Sequence, residues 1–215
     1  MNQFHSDKWK SIIQEGSAEL GIHVTHQQAE MMAVHAEELM RWNQKKNLTA
    51  ITDPMDIAVK HFIDSLIPVH RIPDNTSLID IGSGGGFPGI PLKIMRPTLR
   101  VTLVDASLKK VNFLKQVIRL LDLENTEAVH ARIEDMGKDP RYRELFDTAI
   151  SRAFTDLERF AGLAFPFLKN NGQLIAMKSQ KTDDELKSIS GFPKQPVVET
   201  YTLPFQGAIR SLIIL

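Results

Sequence analysis

The sequence predicts a doubly wound α/β fold with a mostly parallel sheet, and three observations carry that reading. A short apolar run, Leu78-Ile79-Asp80-Ile81, closes on a glycine-rich turn and restarts as a helix at Pro88, which is the pattern of a buried strand, a tight turn and a helix N-terminus. Val101-Thr102-Leu103-Val104-Asp105 is a second apolar strand ending in an acid, 23 residues after Gly82. From Ser77 onwards strand-like and helix-like segments alternate regularly, which implies parallel strands joined by right-handed crossovers.

The elements follow in order. Residues 3–20 and 27–46 read as two helices, with Gly21 ending the first. Thr25 and Gln28 have capping-box spacing, and Met32, Leu39 and Met40 mark the buried side of the second helix, where His35 reads as a packed or surface histidine. Residues 1–70 are therefore expected to form an N-terminal helical extension packed on a core of residues 71–215. Asn47-Leu48-Thr49-Ala50-Ile51 breaks the second helix, and Asp53-Pro54 restarts one with Asp as its cap and Pro at its first position. His61 and Asp64 stand three apart on that helix, placed to pair with each other or with the turn at Asn47. The pairing reads equally as a bond that holds the helices together and, with Asn47, as the lining of a site entrance.

Strands are expected near 77–81, 101–104, 126–129, 146–150 and 173–178, with helices near 88–95, 107–121, 154–168 and 181–188. Two further strands, near 197–202 and 208–215, are joined by the short Leu203–Gly207 loop and should be antiparallel. The last is expected to insert beside the fifth, completing a seven-stranded sheet.

With 215 residues, 42% apolar and 24% charged, the chain fits one soluble α/β unit with a full core. No cysteine occurs, which excludes disulfides and thiolate metal sites, and no metal is expected. The first ten residues are polar, and no stretch approaches the roughly 20 apolar residues of a membrane span. A soluble cytoplasmic protein without a membrane partner is expected. Net charge is zero, so nucleic-acid binding would depend on local clusters: Arg41 with Lys45 and Lys46, Lys109 with Lys110, Lys115 and Arg119, and Lys178 with Lys181. Each, taken alone, reads first as a solvated face.

Four of the five residues from Gly82 to Gly86 are glycine, as needed where backbone adopts positive φ or lets a ligand approach. Dinucleotides and S-adenosylmethionine both use such turns. The dinucleotide fingerprint wants glycine where this chain has Phe87, followed by Pro88. S-Adenosylmethionine carries no phosphate and tolerates both. Asp80, at the strand end, suits a cationic ligand, and Asp105, at the tip of the second strand, suits the two ribose hydroxyls of adenosine. In the loop after the third strand, the Ile133 N–H and the Glu134 carboxylate are placed for an adenine ring nitrogen and its amine. Arg152, after the fourth strand, suits a carboxylate or phosphate held bidentately, or else an ion pair with Asp80 or Glu134.

The run from Asp80 to Pro91 closely resembles the signature of the ribosomal RNA small subunit methyltransferase G family, also called glucose-inhibited division protein B. Further segments resemble it in order along roughly the whole chain: Trp42-Asn43 with Asn47-Leu48-Thr49-Ala50-Ile51, His61 with Asp64-Ser65-Leu66, Asp105-Ala106-Ser107 with Lys109-Lys110, and Ser151-Arg152-Ala153-Phe154. The resemblance implies a class I, Rossmann-like S-adenosylmethionine-dependent methyltransferase that modifies N7 of a guanosine in 16S ribosomal RNA of the small subunit. It implies Gly82, Phe87, Ile133, Glu134 and Arg152 as cofactor residues; Asp105 joins them from the fold. Asn47, Phe154 and Lys178 are substrate-binding candidates, Phe154 by base stacking and Lys178 by phosphate contact, as is the Lys109-Lys110 pair. Ser179 follows Lys178 where the family usually has glycine. No catalytic side chain is assigned, because guanine N7 carries a free lone pair and the leaving thioether is neutral. The residues alone leave open a methyltransferase acting on protein or a small molecule, a non-catalytic RNA-binding assembly module and, more distantly, a dinucleotide oxidoreductase.

Overall fold

The computed structural model describes residues 3–152, 154, 156–179 and 195–215. Its first helix, α1 (Asp7–Glu19), starts at Ser6, whose hydroxyl accepts the Trp9 N–H. It closes through Gly21, whose φ of 72° lets the chain turn out of the helix, with Ile22 N donating back to Ser17 O. α2 (His26–Lys46) begins with the expected capping box between Thr25 and Gln28 and ends at Asn47, which is left-handed at φ 48°. Such a cap contributes about 1 kcal/mol. α3 (Pro54–Asp56), capped by Asp53, passes into a π-helical stretch, Ile57–Ile63, then α4 (Asp64–Leu66) and a 3₁₀ stretch, Ile67–Arg71. π turns are rare and concentrate at functional sites, and His61 lies in this one.

The strands are β1 (Ser77–Ile81), β2 (Arg100–Asp105), β3 (Thr126–His130), β4 (Phe146–Ser151), β5 (Leu168–Lys178), β6 (Val197–Thr202) and β7 (Ile209–Ile214). They form one sheet in the order β3-β2-β1-β4-β5-β7-β6. The first five are parallel, and β7 runs antiparallel between β5 and β6, as expected. Between them run α5 (Gly89–Met95), α6 (Leu108–Leu120), α7 (Ile133–Met136) and α8 (Leu157–Ala164). α8 is shorter than expected: Pro166 has no N–H to continue an α-helix, so the chain tightens to a 3₁₀ turn at Phe165–Phe167 and β5 begins at Leu168. Leu168 pairs with Phe146 ahead of a register shift. The helix expected at 181–188 lies outside the described residues.

Alternation along the strands divides the core. Leu78, Val101 and Leu103 face α1, α2, the π stretch, α5 and α6, and pack with Trp9, Ile13, Met32, Leu39, Phe62 and Phe113. Ile79, Ile81 and Val104 face α7 and α8, and pack with Phe160, Phe167 and Leu174. The first cluster runs from Phe4 to Leu212, so the N-terminal helices share one core with the sheet. Fully buried phenylalanines such as Phe62 and Phe113 contribute about 1.5–3 kcal/mol each on leaving water. That packing seats the helical layer against one face of the sheet.

Candidate active site

The strand order reverses between β1 and β4, and ligands of open α/β sheets bind at the carboxyl ends where that happens. Gly82 leaves β1 there and Arg152 leaves β4. Gly82 N and Ser83 N both donate to Val104 O, at 2.8 and 3.0 Å, while the Ser83 hydroxyl donates to Asp80 O and the Ser151 hydroxyl to Ile81 O. These bonds fold the turn tightly over β1. Gly82, Gly84 and Gly86 have φ of 77°, 58° and 90°, all in the left-handed region that favours glycine. Two of them serve different ends. A Cβ on Gly86 would lie 2.5 Å from Ile90 Cδ1, so that glycine allows packing; one on Gly84 would have only Gly82 O, at 3.8 Å, within 4 Å. Gly84 faces open space.

That space is a cleft of about 220 Å³ floored by Gly82, Ser83, Gly84 and Gly85. Beside the floor, the Asp105 carboxylate accepts from Gly84 N at 3.0 Å and from Ser107 N at 2.8 Å, with the Lys110 ammonium 3.5 Å away. A carboxylate offers about four lone-pair sites, so acceptor capacity remains for hydroxyls. Ala131 N donates to Asp105 O at 3.3 Å, which brings the loop holding Ile133 and Glu134 to the same edge.

Asp80 does not face the cleft, contrary to the expectation that it would meet a cationic ligand. Strand alternation sends it under α5, where Oδ2 accepts from Gly89 N at 2.9 Å and a Cβ on Gly89 would lie 2.8 Å from it. It is fully buried, and Oδ1 has no partner among the described residues. Burial pushes its pKa up to about 7, because a carboxylate loses its hydration there.

The facing wall is built from side chains. Leu48, Thr49, His61, Phe87 and Arg152 line it. Arg152 is tied at both terminal nitrogens: Nη1 donates to Lys60 O at 2.7 Å and to Asp64 Oδ2 at 3.3 Å, and Nη2 donates to His61 Nδ1 at 3.0 Å. His61 and Asp64 thus share Arg152 instead of pairing with each other, and Asp64 is the ion-pair partner expected at Asp80 or Glu134. Asp64 Oδ1 accepts from the Tyr201 hydroxyl at 3.1 Å and lies 3.7 Å from Arg210 Nε, so β6 and β7 brace the wall. Burial, then the Arg152 charge, pushes the His61 pKa down to about 3. His61 is neutral near pH 7.

Phe87, only 4% exposed, joins the walls: its ring stacks on His61 with centroids 4.5 Å apart and on His35 at 4.8 Å, and the Arg152 guanidinium lies 5.2 Å from its centroid. His35 Nε2 donates to Gly85 O at 2.8 Å, so the helical layer grips the turn directly. A bidentate grip of Arg152 on a carboxylate would have to displace these protein acceptors; what it offers the cleft is its charge and its remaining N–H groups.

The other candidates stand further off. Ile133 is buried at the start of α7, and the Glu134 carboxylate accepts from Arg159 at 3.0 Å. Asn47 is the exposed cap of α2, with Leu48 and Thr49 reaching the cleft in its place. Phe154 stacks on Phe160 at 5.2 Å. Lys178 is buried at the end of β5, opposite Ser211. Lys110, expected at RNA phosphate, also lines the cleft; sequence reasoning gave no ligand role to Thr49 or Ser83, nor a bracing role to Tyr201. The turn signal extended to Ser83, but no periodicity links Thr49 or Tyr201 to a cleft so distant in the chain. Among the described residues no group of His, Asp and Glu is arranged to hold a metal ion, and no helix is long and apolar enough to cross a membrane.

The cleft fits S-adenosylmethionine: Gly84 leaves the room a side chain would fill, Asp105 supplies acceptors for a ribose, and Arg152 and Lys110 supply charge for a carboxylate. Comparison with known proteins agrees. The family model for GidB, rRNA small subunit methyltransferase G, matches residues 28–212. A protein named ribosomal RNA small subunit methyltransferase G from Geobacter sp. strain M21 is 41% identical over 212 residues, 96% of each chain. One of the same name from Geotalea uraniireducens is 42% identical over 211 residues, 96% of this chain and 95% of its own. Among solved structures, a SAM-dependent methyltransferase from Aquifex aeolicus superimposes with a TM-score of 0.57 at 15% identity, covering 83% of this chain and 96% of its own.

Proposed function

Because the chain belongs to the rRNA small subunit methyltransferase G family, we propose that this S-adenosylmethionine-dependent enzyme methylates N7 of a guanosine in 16S ribosomal RNA, free or in the small subunit. The observation that carries the site assignment is the open space at Gly84, beside Asp105, at the reversal of strand order. Bound S-adenosylmethionine supplies an electrophilic methyl whose transfer leaves a neutral thioether. Gly82 and Gly84 leave room for the amino-acid portion, Asp105 receives the ribose hydroxyls, and the backbone of Ile133 with Glu134 meets the adenine. Phe87 acts from beneath, holding His61 and Arg152 in place. Guanine N7 needs no base, so positioning does most of the work, up to about 7–11 kcal/mol for well-aligned reactants.

RNA phosphates are met at the rim. Lys109 Nζ donates to Lys46 O at 2.9 Å, which gathers Lys45, Lys46, Lys109 and Lys110 from two helices beside the cleft. Phe154 and Lys178, the latter buried at the end of β5, stay as separate substrate-binding candidates, with Asn47 at the entrance. The test is incubation with labelled S-adenosylmethionine and small subunits, or free 16S RNA, lacking the modification. 7-Methylguanosine is then mapped by borohydride and aniline cleavage. Cleavage at one guanosine, lost in Gly82→Asp, is expected. Absence of incorporation from a protein that binds cofactor would overturn the RNA assignment in favour of a protein or small-molecule substrate.

A further inference from the structure

The side-chain wall ends on a hydroxyl whose proton is directed by its neighbours. A guanidinium only donates, so Arg152 Nη2, 3.0 Å from His61 Nδ1, makes Nδ1 the acceptor and places the ring proton on Nε2. That N–H points at Thr49 Oγ1, 2.9 Å away. Thr49 Oγ1 also accepts the Ile51 N–H at 3.0 Å. A hydroxyl has two lone pairs, and both are now taken. The Thr49 O–H is left as a donor, with no acceptor for it among the described residues, at a residue that lines the cleft. Asp64, Tyr201 and Lys60 O fix Arg152 in turn, so the polarity of the chain cannot reverse without breaking the ion pair. Burial of His61 keeps its ring neutral, which preserves this arrangement at neutral pH.

We infer that Thr49 is a ligand-binding residue whose hydroxyl donates a hydrogen bond to an acceptor oxygen in the cleft, the cofactor's carboxylate or O6 of the target guanine. Either oxygen accepts; an amine in the same place meets a donor and is rejected, which is the distinction between guanine O6 and adenine N6. The inference rests on the methyltransferase reading above.

Two paired comparisons test it, each contrasting wild type with Thr49→Val. In the first, calorimetry compares S-adenosylhomocysteine with methylthioadenosine, which lacks the amino-acid tail. A carboxylate contact predicts about tenfold weaker binding of the former by Thr49→Val and unchanged binding of the latter, since one such bond is worth about a factor of ten. In the second, the target guanosine is replaced by 6-thioguanosine, a weaker acceptor. An O6 contact predicts about a tenfold slower wild type on the thio base and a Thr49→Val enzyme indifferent to it. Thr49→Ser restores the wild-type response in whichever comparison shows it, and Thr49→Ala stands in if the valine variant does not fold. Equal shifts for both ligands together with equal responses to both bases would overturn the inference and leave Thr49 a purely structural bridge. Failure of the wild type to bind S-adenosylhomocysteine at all would instead overturn the methyltransferase reading, and the inference with it.

Discussion

The floor of the cleft and the wall that faces it are made of different materials. The floor is backbone from consecutive residues, Gly82 to Gly85, shaped by positive φ and bonds to Val104 O. The wall is assembled from side chains: Thr49, His61, Asp64 and Arg152, braced by Tyr201 and Arg210. The floor tolerates no side chain at Gly84, because space is what it provides there. The wall depends wholly on side chains, because an ion pair sets the direction of its hydrogen bonds. One fails by addition and the other by deletion.

The largest effect should come from adding to the floor. Gly84→Val puts a branched side chain at φ 58° into the cleft and is expected to weaken S-adenosylhomocysteine binding at least about 100-fold by calorimetry, with a native circular dichroism spectrum; retained affinity would place the ligand elsewhere. Deleting from the wall should act on stability first. Asp64→Ala strips the carboxylate from Arg152, a largely buried pair with side chains 7% and 21% exposed, and breaking such a pair costs about 3–5 kcal/mol. Urea denaturation should show a loss in that range, and a loss below about 1 kcal/mol would mean the wall holds without its ion pair.

Acid should strain both regions through His35, which bridges helix and turn. Burial pushes its pKa down to about 4 from 6.5, so the unfolded chain takes up a proton that the folded protein refuses. The stability it contributes is full above pH 6.5 and is lost as pH falls towards 4, by about 3 kcal/mol in all. Asp80 works oppositely: with its pKa raised from 3.8 to about 7, stability is highest below 3.8 and declines as pH rises to 7. His35→Phe should therefore flatten the acid loss measured by thermal melts between pH 4 and 6.5, and Asp80→Asn should steepen it. Identical slopes in the two variants would refute the assignment. The smallest change is expected at the rim, where Lys110→Met removes a partly exposed charge near Asp105. It should raise the apparent KM for RNA a few-fold at low salt and hardly at high salt, as screened charges do; a salt-independent effect would count against phosphate contact.

The same contrast explains what could be read from the chain. The sheet, its antiparallel β7 and the caps at Thr25 and Asp53 follow from local periodicity and capping chemistry, and the floor follows from glycines in a row. The wall joins residues far apart in the chain, Asp64 and Tyr201 being separated by 137 positions, and no spacing rule reaches across that distance. His61 and Asp64 are visible as a pair on one helix and Arg152 as a candidate after the fourth strand, but that Arg152 ties the two together is given only by the fold. Asp80 misled because strand-end acids often face ligands; which face it takes is set by strand alternation and by Gly89 above it. The end of α8 was displaced by a single proline, Pro166.

The central claim is that the cleft between floor and wall is where the cofactor binds. Titration of S-adenosylhomocysteine into ¹⁵N-labelled protein tests it most directly. The largest amide shifts are predicted at Gly82, Gly84, Gly85 and Thr49, with smaller ones along the Ala131–Glu134 loop. Saturable binding that leaves those amides unmoved and shifts Ser77, Arg100 and Thr126, which line a separate cavity of about 540 Å³ at the amino ends of the strands, would contradict it.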